Sequence, residues 1–311
     1  MKQEKCPMCE NKPGQAELQN GMKISESFTI VDCDACGHRY TFFGDDVLEE
    51  EIYQDERYKV IDNRKSVFDR LLSFEYKRVV KEIVKRYHSD ISVLDFGSGK
   101  GKFLSLCKAE GFSTKGVETS LPRANFARKH YHLEIDSDYY SKGTLDRAPF
   151  TAITSFHVLE HLSKPKELLA NLVRDNLTPD GLVVIEVPNM DSWQSIWAGK
   201  SWLQLDVPRH INHFNKSSII SVVGAAGLRP TKISYFSFHV GLLGMLRTCL
   251  GLVGYKGDII YTLKNKKSLP LYLLIALLLP LSTVLELIAS LFGKGGIIRI
   301  YASAIAAGGN A

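Results

Sequence analysis

Glycines 97, 99 and 101 follow the run Ile91-Ser92-Val93-Leu94-Asp95-Phe96, and an acid, Glu118, stands 21 residues beyond the first of them. Glycine lets a backbone pass close to a ligand without side-chain interference. A helix opening near Lys102 would aim its free N–H groups at the anionic end of that ligand. Glu118 ends the next predicted strand, Thr114 to Val117, and is spaced to accept hydrogen bonds from two ribose hydroxyls. Types and spacing together predict a site for an adenosine-containing cofactor. The spacing is Gly-x-Gly-x-Gly, not the Gly-x-Gly-x-x-Gly of dinucleotide folds, which argues against a nicotinamide cofactor.

The second chemical constellation is made of cysteines. Cys6-Pro7-Met8-Cys9 and Cys33-Asp34-Ala35-Cys36 are two Cys-x-x-Cys knuckles separated by 23 residues. Two thiolate pairs at that spacing predict a structural zinc ribbon, with Ser27 to Val31 in the hairpin that brings the knuckles together. Zinc then substitutes for the core that so short a segment cannot build. His38 is a spare ligand, and a redox dithiol would require a βαβ context that this segment lacks. Cys107 and Cys249 lie in apolar runs and read as core residues.

Histidines supply the remaining candidates. His210 and His213 in Pro208-Arg209-His210-Ile211-Asn212-His213-Phe214, then His157 and His161, are candidate general bases in that order. Each has a structural alternative: His161 can anchor a helix, and Arg209, His210 and His213 can hold a lid loop.

These groups need a frame, and the apolar pattern provides one. Strands are predicted at 91–96, 114–118, 150–156 and 181–187, with helices at 102–110, 122–131 and 165–176, and further strands at 231–236 and 296–303. Such alternation implies an α/β fold, a Rossmann-like doubly wound sheet whose ligands sit beyond the carboxyl ends of the strands. The chain divides into a ribbon (1–43), a helical connector (44–90) that roofs the cofactor site, the core (91–236), a hydrophobic helical insert (237–294) and a last core strand with its tail (295–311). With 311 residues and a formal charge of +5, the core is large enough to fold and nothing suggests nucleic-acid binding. The acidic stretch Asp45 to Glu56 and the basic run Arg57 to Arg86 read as solvated helix faces.

The run Val93 to Gly101 resembles motif I of the class I S-adenosylmethionine-dependent methyltransferases. Phe156-His157-Val158-Leu159-Glu160-His161-Leu162, Leu177-Thr178-Pro179-Asp180-Gly181 and Pro188-Asn189 resemble, in order, the later motifs of the ubiquinone-biosynthesis O-methyltransferase-like branch. Asp180 and Thr151 depart from it, standing where that pattern has glycine and aspartate. The resemblance covers roughly residues 90 to 235 and the last, antiparallel strand. It implies that Asp95, Gly97, Ser98, Gly99 and Gly101 line the methionine end of S-adenosylmethionine, that Glu118 with Thr119 holds the ribose, and that Phe156 and His157 lie along the cofactor. Asp136 or Asp138 would meet the adenine. The implied reaction is methyl transfer to a small molecule, whether sugar, quinone, polyketide or lipid-linked glycan intermediate. A non-catalytic cofactor-sensing or ribbon-binding module is the alternative.

The insert is unusually apolar. Leu269 to Leu285 carries no charge and is long enough to span a bilayer. A single crossing would strand the last β-strand on the wrong side of the membrane, and the only partner for a hairpin, Phe238 to Gly254, carries Arg247 at its middle. Pro280 would kink the longer helix, and Ser282, Glu286 and Ser290 recur at four-residue spacing. That stripe suits a helix lying in a membrane surface, with Lys264, Lys266, Lys267 and Lys294 near anionic headgroups. A buried or dimer-forming hairpin is the competing expectation. The location that follows is cytoplasmic, with a peripheral place on the inner membrane face.

Overall fold

A computed structural model describes residues 3–43, 60, 62, 64, 66–255, 257 and 268–304. The acidic stretch 45–56, the connector residues Ile52, Tyr53 and Tyr58, Lys264, Lys266, Lys267 and the tail from 305 lie outside the described residues.

A seven-stranded sheet forms the centre of the molecule. Its strands are β4 (Ser92–Phe96), β5 (Ser113–Val117), β6 (Ile135–Asp136), β7 (Phe150–Phe156), β8 (Leu177–Pro188), β10 (Leu228–Ser234) and β11 (Ile297–Ala304), in spatial order β10-β11-β8-β7-β4-β5-β6. The pairs from β8 through β6 are parallel. β11 runs antiparallel to both β8 and β10, the final strand that the alternating pattern predicted. The expected strand at 231–236 begins three residues earlier, because Leu228 pairs with Ala304.

Helices cover both faces, as buried parallel strands require. On one side α2 (Val67–Arg86) buries Val79, Val80 and Ile83 against α3 (Lys102–Ala109), α4 (Leu121–Tyr131) and the sheet. The Ser66 side chain caps α2 by accepting from the Asp69 amide at 3.1 Å. On the other side lie α5 (Pro165–Asn176) and α7 (Lys216–Ala225), which contribute Leu168, Leu169, Leu172, Ile219, Val222 and Val223. Cys107 and Cys249 are buried core residues, as expected.

The N-terminal segment builds α1 (Gln15–Asn20), β1 (Met22–Lys23), β2 (Phe28–Asp32) and β3 (Arg39–Phe43). Its sheet does not end there. β3 pairs antiparallel with β9 (Asn212–His213), so the order is β1-β2-β3-β9 and the core supplies the fourth strand. Cys6, Met8, Val31 and Tyr40 share one apolar cluster with Leu159, Leu168 and Phe214.

The insert folds as a single π-turn (Phe238–Leu242), α8 (Leu243–Leu252) and α9 (Leu269–Leu291), with α6 (Trp193–Ala198) against it. α9 runs on through Pro280. Its polar stripe faces inward: Ser282 and Glu286 are fully buried. The Glu286 carboxylate accepts from the Gly296 amide at 2.8 Å and from Gln194 Nε2 at 2.7 Å, and Gln194 also donates to the Gly241 carbonyl at 2.6 Å. The stripe thus ties the hairpin to the start of β11, which periodicity alone could not distinguish from a water-facing stripe.

Candidate active site

A cavity of about 920 Å³ opens beyond the carboxyl ends of β4, β5 and β7. β4 lies where the strand order reverses, the position at which open α/β sheets hold ligands. The volume suits a nucleoside-sized ligand together with a second molecule.

Its floor is the glycine turn. Gly97 and Ser98 donate backbone hydrogen bonds to the Val117 carbonyl at 2.8 and 3.0 Å, which fixes the turn against β5. Gly97 has φ +79°, and a Cβ there would lie 2.3 Å from Val158 Cγ2. Gly99 also has positive φ, yet a Cβ added to it meets nothing within 4 Å. The first glycine is therefore required by packing, and the second leaves open space in a cavity wall. Glu118 is held from two sides: its Oε2 accepts from the Gly99 amide and its Oε1 from the Ser120 amide, each at 2.8 Å. Both contacts pre-orient the carboxylate before any ligand arrives.

Asp95 ends the same strand and is buried, with Oδ1 accepting from Thr154 Oγ1 at 2.7 Å. Burial raises its pKa to about 7; the Thr154 hydrogen bond opposes that shift and the nearby Glu118 charge adds to it. A cation bound beside it would recover the ionised form.

Opposite the turn stands His157, with φ +56° and a quarter of its side chain open. Its Nε2 lies 3.0 Å from Glu186 Oε1 and its Nδ1 3.3 Å from Glu160 Oε1. Burial disfavours a charged ring there, but the two carboxylates outweigh it and lift the pKa to about 10. Glu186 is also engaged by Arg299 Nε at 2.6 Å, and Arg299 reaches Glu75 on α2 at 3.0 Å. Glu75 in turn accepts from the Phe238 amide at 2.8 Å, so one buried charge network joins α2, β7, β8, β11 and the hairpin.

Of the residues singled out for the cofactor, Asp95, Gly97, Ser98, Gly99, Glu118, Thr119, Phe156 and His157 line this cavity, and Gly101 lies behind it at the start of α3. Neither Asp136 nor Asp138 does. Asp136 sits 2.9 Å from Lys115 Nζ, and Tyr139 and Tyr140 occupy the wall instead.

The candidate bases separate. His161 lines the cavity, with Nδ1 3.0 Å from the Arg209 carbonyl. His157 lines it as a cation, which has no lone pair to accept a proton. His210 and His213 do not reach it. His210 Nδ1 is 2.8 Å from the Gln204 carbonyl, and His213 Nε2 is 2.9 Å from Thr41 Oγ1 in the seam between β3 and β9. Burial lowers the pKa of both, to about 4 for His210. Asn212 between them donates to the Leu159 and Leu162 carbonyls at 3.1 and 2.7 Å and lies 3.0 Å from His38 Nε2. The segment is thus a brace between the ribbon and the turn carrying Glu160 and His161.

Sequence reasoning missed Tyr76 and His239, which line the cavity from α2 and from the start of the hairpin. Burial lowers the His239 pKa to about 4. Neither residue belongs to a local motif, and only the tertiary fold brings them here.

The four cysteines come together as their spacing predicted. Their Sγ atoms lie within 4.8 Å of one another, with Cys6–Cys36 and Cys9–Cys33 at 3.6 Å. His38 is not among them; it is buried against Asn212.

The chain matches the methyltransferase domain over residues 68–233, more than half of its length. It is 26% identical over 166 residues to the ubiquinone biosynthesis O-methyltransferase of Maricaulis maris, an alignment covering 49% of this chain and 65% of that relative, just under two thirds of its length. Among solved structures, a plantazolicin methyltransferase in complex with SAH superposes with a TM-score of 0.50 at 15% identity, over 82% of this chain and 93% of that one. Geranyl diphosphate C-methyltransferase from Streptomyces coelicolor A3(2) gives the same TM-score at 13% identity, over 76% and 77%. At those identities the likeness is one of fold. Together with the family match it identifies the frame around this cavity, and the chain belongs to the methyltransferase-domain family with the class I fold.

Proposed function

We propose that this protein transfers a methyl group from S-adenosylmethionine to a small-molecule acceptor. The observation that carries this reading is the Gly97–Gly101 turn with its Gly99 amide bound to Glu118, on the floor of a cavity large enough for two ligands. The residues fit such a cofactor. Glu118 would accept from the ribose hydroxyls, the open side of Gly99 would admit the amino-acid end, and Asp95 would face its positive charge. Tyr139 and Tyr140 offer flat apolar surface to a base.

When bound, the cofactor supplies a preactivated methyl electrophile, so the protein's part is alignment and exclusion of water. Phe156 and Tyr76, with ring centroids 5.0 Å apart, close one side of the cavity with apolar surface. His157, with its ring nitrogens on Glu160 and Glu186, would shape this side of the cavity as a positioning residue. His161 is our candidate for receiving a proton where the acceptor must lose one. The acceptor class is a sugar, quinone, polyketide or lipid-linked intermediate.

We further propose that Cys6, Cys9, Cys33 and Cys36 hold a structural zinc ion. A tetrahedral four-thiolate site with bonds of about 2.3 Å requires sulfur separations of about 3.8 Å, close to those observed.

Calorimetric titration tests the cofactor: binding of S-adenosylmethionine and S-adenosylhomocysteine is expected, and no binding of either would overturn the reading. Metabolites, including lipid-linked ones, extracted from cells with and without the protein should differ in one species by a methyl-sized mass. Metal analysis of the purified chain should return one zinc per molecule.

A further inference from the structure

Helix α9 is amphipathic in the reverse sense. A helix on the surface of a water-soluble protein turns its polar residues outward. Here Ser282 and Glu286 are buried, while Leu269, Leu273, Leu277, Val284, Leu287 and Leu291 form an outward row whose members are 46–85% exposed. The row follows helical spacing along all 23 residues, about 34 Å at 1.5 Å per residue. An uninterrupted apolar strip of that length exceeds what a monomer in water normally displays.

We propose that the outward face of α9 seats in the surface of an anionic lipid bilayer, lying in the plane of one leaflet. Both ends of the strip are basic in sequence: Lys256, Lys264, Lys266 and Lys267 precede it and Lys294 follows it, with Asp258 the only acid among them. A two-fold contact between copies would set these basic ends against each other in either helix orientation, whereas anionic headgroups complement them. The inward side of the helix fixes its attitude. Leu271, Leu278 and Ala289 pack on Met245, Leu246 and Leu250 of α8, and Glu286 is bonded to Gln194 and to the start of β11. β11 pairs with β8 in the central sheet only a few residues later, so the helix cannot cross to the far side. Trp197, stacked on Trp193 with centroids 5.4 Å apart and 39% exposed, adds an aromatic of the kind that sits at headgroup level.

The same segment reaches the cavity. His239 and Val240 line it, and Phe238 packs edge-on against the half-exposed Phe74 of α2 at 5.3 Å. Docking would therefore bring the cavity roof to the lipid surface, where an amphiphilic acceptor could be delivered.

Vesicle flotation of the full chain tests the proposal. The protein should float with vesicles of phosphatidylcholine and phosphatidylglycerol, and float less with phosphatidylcholine alone or at high salt. Leu273→Glu/Leu277→Glu should lower partitioning by at least about tenfold, since two charges are set into the apolar strip. Both sites are exposed, so its melting temperature and S-adenosylmethionine titration should match those of the parent chain, and a loss of cofactor binding would be read separately from a loss of lipid binding. Lys294→Gln should weaken partitioning about fivefold, the effect of one lysine at an anionic surface. A parent chain that stays with the soluble fraction for every vesicle overturns the proposal. So does flotation that the double substitution leaves unchanged, or a soluble dimer that the substitution splits while neither form binds lipid.

Discussion

The two sides of the cavity are built by different means. The cofactor side is local: a single nine-residue run, one acid on the next strand and backbone hydrogen bonds between them position everything that matters. The opposite wall is assembled from α2, the turn after β7, the loop bearing Arg209 and the start of the hairpin, which are held together by buried charge and by the ribbon. A backbone-built site tolerates change around it and fails when its glycines change. A side-chain-built wall fails when its network loses a member.

The sharpest test of that difference is Arg299. It is 1% exposed and engages Glu75 and Glu186. Replacing it with leucine leaves two buried carboxylates without their partner, and the expected loss is about 3–5 kcal/mol in urea denaturation. Removing Arg174, an exposed neighbour of Asp175, should leave the urea midpoint essentially where it is. If the two substitutions cost the same, the network does not hold the wall.

On the cofactor side the two glycines should part company. Gly97→Ala forces a Cβ into Val158 at a positive φ, so it should lower stability by about 2 kcal/mol as well as binding. Gly99→Ala meets no protein atom, so it should cost only the strain of an alanine at positive φ, about 1 kcal/mol, yet weaken S-adenosylmethionine binding by roughly a hundredfold, because the added methyl enters ligand space. Thermal melts and calorimetry separate these outcomes. Equal binding losses with equal stability losses would mean that the open side of Gly99 is not where the ligand lies.

These contrasts follow what the sequence could disclose. The glycine turn, Glu118 and the strands around them are legible because chain neighbours make the site, and β4 lies within one residue of its predicted start. The pairing of Asn212–His213 with Arg39–Tyr40 is not, since a two-residue strand has no period and its partner is some 170 residues away. His210 and His213 were therefore legible as candidate bases or as loop-holding residues, and only the tertiary pairing shows that they belong to a brace. Glu75 lay in a charged run read as solvated, and it is fully buried. The stripe of α9 was visible, but period fixes only which residues share a face, and its burial partners decide which way that face turns. Burial of a charge depends on a partner elsewhere in the chain, and local pattern does not carry it.

Another substitution measures the brace. Asn212→Ala removes donors to the Leu159 and Leu162 carbonyls and should cost about 1–3 kcal/mol, the penalty for leaving buried polar groups unpaired. If the ribbon positions the turn bearing His161, this substitution should weaken acceptor use while the cofactor titration stays unchanged. Equal weakening of both would show that the two sides of the cavity are not separable.

The last expected effects are in pH, where both sides lose stability as pH rises but in different windows. His157 has its pKa raised to about 10, above the ordinary value of about 6.5. Its ion pairs therefore contribute stability that is fully present below about pH 6.5 and lost as pH rises towards 10. Asp95 has its pKa raised to about 7, so the folded chain binds that proton more tightly than the unfolded one, and stability falls as pH climbs from about 4 to 7. A ligand reads the same ionisation the other way. S-adenosylmethionine carries a sulfonium charge that S-adenosylhomocysteine lacks, so ionising Asp95 should favour the first over the second. The ratio of their affinities, measured by calorimetry between pH 6 and 8, should rise a few-fold and become flat in Asp95→Asn, while His157→Asn removes the alkaline loss of stability and leaves that ratio rising. A ratio that ignores pH in the parent chain would put the sulfonium away from Asp95 and move the methyl group towards the wall that the hairpin builds.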